Sequence, residues 1–141
     1  MAKARSTAGG VMSEKIGSEK TREEWRGLVK ALATDIERWS LEQGWLVSRQ
    51  QKYLAEESLG RYAVPDLVIR LPEGRITFDV IGRDVVGAGG RVDISAFPSL
   101  NRMLLLRVGG KWKIMTDSRV PWPRAWGKAS FIELAKLVAS S

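Results

Sequence analysis

Two aspartates separated by thirteen residues are the strongest candidates for chemistry in this sequence. Asp66 begins one apolar stretch, and Asp79 lies inside the next, between Phe78 and Val80. A tight turn between them would place both carboxylates on adjacent strands at similar heights. A carboxylate in a buried strand is costly unless it is paired, and a divalent metal relieves the repulsion between two of them. The pair predicts a metal site; the alternative is that Asp66 caps its strand and Asp79 faces solvent.

The composition limits which catalytic groups are available. The 141 residues include no histidine and no cysteine, which excludes an imidazole base, a thiolate nucleophile and metal sites built on either residue. Acids, cations and hydroxyls remain, together with a hard cation that prefers oxygen ligands. No apolar run approaches the about 20 residues that span a bilayer, and the N-terminus lacks the apolar core of a signal peptide. We therefore expect a cytoplasmic protein without a membrane partner.

The elements that must position the aspartates follow from hydrophobic periodicity. Small and polar residues predict a flexible basic tail over 1–17, followed by one domain over 18–141. An apolar stripe of helical period predicts a helix from Ser18 to Gln43. Apolar or alternating runs predict strands over residues 45–53, 62–71, 75–81, 103–108 and 111–115.

The remaining segments are turns, loops and a final helix. Pro72-Glu73-Gly74 predicts an antiparallel hairpin. Residues 91–101 fit either a short helix or extended structure, and residues 118–127, with two prolines and two tryptophans, predict no regular structure. Ser130 and Glu133 form a capping-box pair that opens the last helix. The order predicts one α/β domain, a sheet with helices on its faces.

The residues around the two aspartates resemble the motif of the PD-(D/E)XK nuclease superfamily, which includes type II restriction endonucleases and archaeal Holliday-junction resolvases. The match lies in Val64-Pro65-Asp66-Leu67 followed by Phe78-Asp79-Val80-Ile81. The order of elements is also similar over residues 21–115: helix, strand, strand with Pro-Asp, strand with the second acid, then a further helix and strand. The resemblance implies a restriction endonuclease-like fold, with a mixed β-sheet flanked by helices.

The same resemblance implies a function and a set of ligands. It implies hydrolysis of phosphodiester bonds, in DNA rather than RNA, with Mg²⁺ or Mn²⁺ as cofactor. Asp66, Asp79 and the carbonyl of Val80 would hold the metal, and Glu24 on the first helix would complete the site, with Glu37 as the alternative. Because each protomer would carry one site and a duplex has two strands, the family often works as homodimers, which we expect here too.

One residue departs from the family motif. The family's lysine stands two residues after the second acid, where this chain has Ile81. A lysine there orients the attacking water and stabilises charge on the phosphate, and isoleucine does neither. Either the cation has moved, to Arg83 at period 2 from Asp79 or to Lys52 on the preceding strand, or the site is degraded and the fold binds nucleic acid without cutting it.

The net charge of +7 is concentrated in one stretch. Residues 97–126 carry one acid, Asp117, and six basic residues. Positive charge concentrated in this way indicates a polyanionic partner more strongly than the same charge spread evenly along the chain. The predicted nucleic-acid contacts are Arg102, Arg107, Lys111, Lys113, Arg119 and Arg124. The alternative is a solvated basic face on a protein–protein interaction domain.

Overall fold

The structure is a computed structural model that describes residues 2–116 and 118–140, with side chains from Lys15 onward. A long helix precedes six strands, which form one sheet in the order of the chain, and a short helix follows them. The elements are α1 (Ala2–Glu42), β1 (Leu46–Glu56), β2 (Gly60–Leu71), β3 (Gly74–Gly82), β4 (Arg91–Phe97), β5 (Arg102–Val108), β6 (Lys111–Thr116) and α2 (Lys128–Ala139).

Every neighbouring pair of strands is antiparallel, so the predicted mixed sheet is wrong. The α/β class is confirmed. A parallel neighbour needs a crossover of about a dozen residues or more, and β3 and β4 are joined only by the glycine-rich residues 83–90. No helix therefore follows the strand of the second acid, and α2 comes only after three more strands.

Both helices pack on the same face of the sheet. Val29 and Ile36 of α1 line one small internal gap together with Phe78 of β3, and the Phe78 ring lies 6.0 Å from that of Phe131 in α2. Of the predicted sheet with helices on its faces, the helices are therefore found, but they cover one face only. In β3 and β4, buried apolar residues alternate with more exposed, mostly polar ones, which is typical of an antiparallel sheet with one covered face. We call the other face the open face.

Most predicted elements are found, with shifted ends. The hairpin at Pro72 is confirmed, with Leu71 paired to Gly74. Residues 91–97 are a strand, the extended alternative. Within 118–127 the only regular pairing of the described residues is one isolated bridge, between Met115 and Pro121, in agreement with the prediction.

The first helix is longer than predicted. It begins at Ala2 rather than Ser18, so the segment predicted as a tail is helical backbone. Propagation of a formed helix adds one hydrogen bond for each residue that is fixed, so the helix continues into the preceding segment despite the three glycines at positions 9, 10 and 17. Most of the predicted apolar stripe is confirmed: Trp25, Val29, Leu32 and Ile36 are buried in the core, and Trp39 packs against it. Leu28, also predicted in the stripe, is 36% exposed.

Candidate active site

The two aspartates lie on the open face, on adjacent strands. The β2–β3 ladder ends at the pair Leu67 and Phe78, both of which are buried against the helices. Asp66 and Asp79 are the next residues on each strand and therefore point to the opposite face. Since cross-strand neighbours have Cβ atoms about 4.5–5.5 Å apart, the fold places the carboxylates side by side, as the spacing predicted.

A lysine from a third strand joins the two carboxylates. Lys52 Nζ of β1 lies 3.2 Å from Asp66 Oδ2 and also forms an ion pair with Asp79 Oδ1. The side chain of Asp66 is 15% exposed, that of Lys52 25% and that of Asp79 45%. The group is therefore shielded on the β1–β2 side and open toward solvent at Asp79, which is the side a substrate could approach. We call these three residues the carboxylate–lysine site.

Asp66 also holds the backbone of the neighbouring strand. Its Oδ1 accepts a hydrogen bond of 2.9 Å from the Val80 amide. The β2–β3 ladder ends at Leu67 and Phe78, and beyond it the Asp66 carboxylate serves in place of a backbone carbonyl as the acceptor for the Val80 N–H. Burial raises the pKa of Asp66 above its usual value, while the Val80 hydrogen bond and the Lys52 ammonium oppose that rise.

Ile81, which stands where the resembled nuclease motif has its lysine, lies in a β-bulge. Val80 pairs with Val92 and Gly82 pairs with Arg91, so Ile81 is an extra residue on β3 without a partner on β4. A bulge re-aims the side chains that follow it. Ile81 is 38% exposed, and the residue at this position supplies no cation.

Arg83 is directed away from the aspartates. Its guanidinium lies 2.6 Å from Asp84 Oδ1, and its backbone amide donates to Glu56. Of the two cations predicted to replace the family lysine, the structure brings only Lys52 to the carboxylates.

Neither helix glutamate reaches the site. Glu37 Oε2 accepts a hydrogen bond of 2.6 Å from Arg49. Glu24 is exposed and makes no hydrogen bond or ion pair with any described residue. Across the described chain no three acidic groups lie close enough to hold one metal ion. The predicted third acid on α1 is thus not part of the arrangement, because α1 packs on the opposite face of the sheet.

A third aspartate lies on the same row of the open face. Asp93 of β4 is directly opposite Asp79 in the strand register, and Arg91 holds its carboxylate through contacts of 2.6 and 3.1 Å. The sequence signal was the alternation of Asp93 with the buried Val92 and Ile94. Asp93 was not predicted as a site residue, because an isolated acid in a segment without an assigned structure is more often part of a turn or a helix cap.

The Glu56 carboxylate secures the end of the β1–β2 hairpin that carries Lys52. It accepts hydrogen bonds from the amides of Arg83 and Asp84 at 3.1 and 2.8 Å and from the Tyr62 hydroxyl. Trp25 Nε1 of α1 donates in turn to that hydroxyl at 3.1 Å. This chain of bonds, which we call the Glu56 latch, connects α1, the hairpin and the end of β3.

The predicted nucleic-acid contacts divide between several surfaces. Lys111 and Lys113 alternate with Trp112, which packs 6.0 Å from Trp25 of α1, so both lysines point to the open face. Arg102 precedes the core residue Met103 and shares that face. The other three do not: Arg107 lies over the Trp112 ring, Arg119 is in a loop, and Arg124 pairs with Glu133 at 2.6 Å.

Comparison of the chain with protein-family models, with curated proteins and with solved structures gives no match. Among the described residues, no helix combines the length and the apolar character needed to cross a membrane. The function is therefore argued from the site alone.

Proposed function

We propose that this chain is a divalent-metal-dependent nuclease that hydrolyses phosphodiester bonds of DNA. The observation that carries the proposal is the carboxylate–lysine site: two acids from paired strands and one ammonium from a third converge on an open sheet face. This is the set of groups of the PD-(D/E)XK resemblance, with Lys52 in place of the lysine that Ile81 replaces. A homodimer with one site in each protomer remains part of the proposal.

The donor set fits a magnesium ion. Mg²⁺ is commonly held by one or two carboxylates together with waters and substrate phosphate oxygens. Asp66 and Asp79 provide the carboxylates, and the carbonyl of Val80 is the third protein oxygen. Two carboxylates and one ammonium leave one negative charge at the site, so a cation is still attracted there. When bound, the metal would polarise a phosphate oxygen and lower the pKa of a coordinated water.

The residues of the chain have separate tasks in this proposal. Asp66, fixed by the Val80 amide, positions the end of β3 and with it Asp79. Lys52 carries the positive charge that would stabilise the additional negative charge developing on the phosphate during attack by water. Its side chain projects from the interior of strand β1 rather than from a loop, which limits the reorganisation needed in the transition state.

One observation favours a second candidate, a module that binds nucleic acid without cutting it. Lys52 already bridges both carboxylates, and an internal ion pair of this kind needs no metal. The site would then serve to hold β1, β2 and β3 together. The absence of a helix after β3, where the family order has one, points the same way.

Cleavage assays with matched variants distinguish these candidates. The chain is incubated with supercoiled, linear and branched DNA in Mg²⁺, Mn²⁺ or EDTA, beside Asp79→Asn and Lys52→Met. Arg83→Gln serves as the control, because Arg83 lies on a neighbouring segment but outside the site. The nuclease is supported by metal-dependent cleavage that is lost in the first two variants and retained in the third. DNA binding without cleavage in either metal supports the second candidate instead.

A further inference from the structure

The open face carries five exposed cations that no acid neutralises. Arg70 follows the core residue Ile69, and Arg75 lies directly opposite Arg70 in the register. Arg102, Lys111 and Lys113 lie on the same face, as described above. We call Arg70, Arg75, Arg102, Lys111 and Lys113 the open-face cations. None of the five forms an ion pair with any described acid.

Several cations on the helix side are paired with acids. Arg26, Arg38 and Arg49 of α1 and β1 each lie within 3.0 Å of a carboxylate oxygen, and Arg124 and Lys128 near α2 pair with Glu133 and Glu42. Lys15, Lys20, Lys30 and Lys136 of the helices form no ion pair with a described acid either. What distinguishes the open face is that its five unpaired cations share one sheet surface with the aspartates. Such a surface favours an anionic partner.

The open-face cations lie on both sides of the row of acids. Arg75 is four residues before Asp79 on β3, a distance of about 13 Å along the strand. Lys113 lies on the other side of the acids. It is paired with Leu106, which is paired with Arg91, and Arg91 is two residues from Asp93 along β4. The row of Arg75 and the row of Lys113 are six residues apart along β4, or about 20 Å, the length of about six nucleotide steps at 3.4 Å.

We infer that the open face binds the phosphodiester backbone of a nucleic acid directed along the strands, with the carboxylate–lysine site between two groups of phosphate contacts. This inference rests on the proposed nuclease function for its substrate class, and it assigns two residues, Arg70 and Arg75, that lie outside the basic stretch 97–126. It also removes Arg107, Arg119 and Arg124 from the binding surface. Phosphates on both sides of the acids would align the central one with Asp66 and Asp79.

Binding in EDTA tests the surface without requiring cleavage. Labelled DNA and RNA, each single-stranded and duplex, are titrated with the full chain at several salt concentrations. The test variant is Arg70→Gln with Arg75→Gln and Lys113→Gln. The control is Arg38→Gln with Lys128→Gln and Lys136→Gln, which removes the same charge from the helix side. Thermal unfolding establishes that both variants fold.

We expect the test variant to lose affinity by at least about 30-fold at about 0.1 M salt, because each lost phosphate contact removes about 0.9 from the slope of log K against log salt. The control should stay within about threefold of the original chain, and DNA duplex should bind best. Equal losses in both variants, or no binding at low salt, overturn the inference. A selective loss of binding in EDTA supports the surface. If the cleavage assay in Mg²⁺ and Mn²⁺ then shows no hydrolysis, that result counts against only the nuclease.

Discussion

At the scale of single residues, Lys52 determines how the two carboxylates are read. Its ammonium forms ion pairs with both Asp66 and Asp79, and no other cation of the described chain pairs with either. The bulge at Ile81 explains why Arg83 is not the partner: period 2 from Asp79 predicts a shared face, but the extra residue breaks that alternation. A bulge depends on pairing with a strand further along the chain, so spacing within β3 could not reveal it.

Removal of Lys52 should make the stability of the fold more sensitive to pH. Lys52→Met leaves Asp66 and Asp79 side by side without a cation, which raises the pKa of Asp66 further above its usual value. An acid whose pKa is raised by folding lowers stability once pH exceeds its unfolded value, so the loss grows as pH rises. We expect Lys52→Met to lower the free energy of unfolding by about 1–2 kcal/mol at pH 7 and by less at pH 4, measured by urea unfolding. Adding Asp79→Asn to Lys52→Met should recover part of this lost free energy. An equal loss at both pH values would contradict an electrostatic role.

Gly90 is a second residue whose identity the structure requires. Its φ is +155°, and a Cβ atom there would lie 2.3 and 2.5 Å from ring atoms of Trp25. Gly90→Ala should therefore displace a core tryptophan and cost more than about 2 kcal/mol in unfolding free energy. Gly87→Ala is the matched control, because φ there is +78° but no atom lies within 4 Å of the added carbon. Similar losses in the two variants would show that backbone strain, not the contact with Trp25, is responsible.

At the scale of elements, the sequence predicted those turns and helices that residues close together in the chain determine. The β2–β3 hairpin was predicted because Pro72 and Gly74 specify a turn between two alternating runs. Ser130 was predicted to open α2, but the helix begins at Lys128, and the Ser130 hydroxyl instead accepts from the Gly127 amide at 2.9 Å. The antiparallel course of β4 could not be predicted from its own residues, since it follows from the short connection before it and from the burial of Val92 and Ile94 in the core.

The Glu56 latch joins three elements, and it should be sensitive to alkaline pH. Burial, followed by the hydrogen bond to Glu56, raises the pKa of Tyr62 well above its usual value. A tyrosine that folding keeps neutral contributes stability below its unfolded pKa of about 10, which is lost as pH rises further. Between pH 9 and 11.5, the original chain should therefore lose more unfolding free energy than Tyr62→Phe does, by up to about 1.4 kcal/mol per pH unit above pH 10.

Tyr53→Phe provides the control for this titration, because Tyr53 is 58% exposed and the other groups that titrate in this range are unchanged. Unfolding by urea at each pH gives the free energies. If Tyr62→Phe and Tyr53→Phe have the same pH profile, the latch does not hold Tyr62 in its neutral form.

At the scale of the whole molecule, the two faces of the sheet have different tasks. The helix side contains the core, including a group of aromatic rings around Phe131 with centroids 5.7–6.1 Å apart, and most of the ion pairs. The open face has the three aspartates and the unpaired cations. An antiparallel sheet needs only one covered face to form a core, so the other is free to vary its polar residues without loss of the fold. The aspartate pair was predictable from the sequence, whereas its surroundings were not, because they come from all six strands of the sheet.

The whole molecule should be stabilised by a divalent ion if the carboxylate–lysine site binds one. A ligand that binds only the folded chain raises its stability by RT ln(1 + [L]/Kd). For a Kd of about 1 mM, Mg²⁺ at about 10 mM gives about 1.4 kcal/mol, a rise in Tm of roughly 3–6 °C for a domain of this size. The comparison is made at constant ionic strength in EDTA and in Mg²⁺, without nucleic acid. Asp79→Asn should abolish the shift and Asp93→Asn should retain most of it, because Asp93 is held by Arg91. An equal Tm in EDTA and Mg²⁺ would mean that Lys52 satisfies both carboxylates by itself, which is the arrangement expected of a binding module.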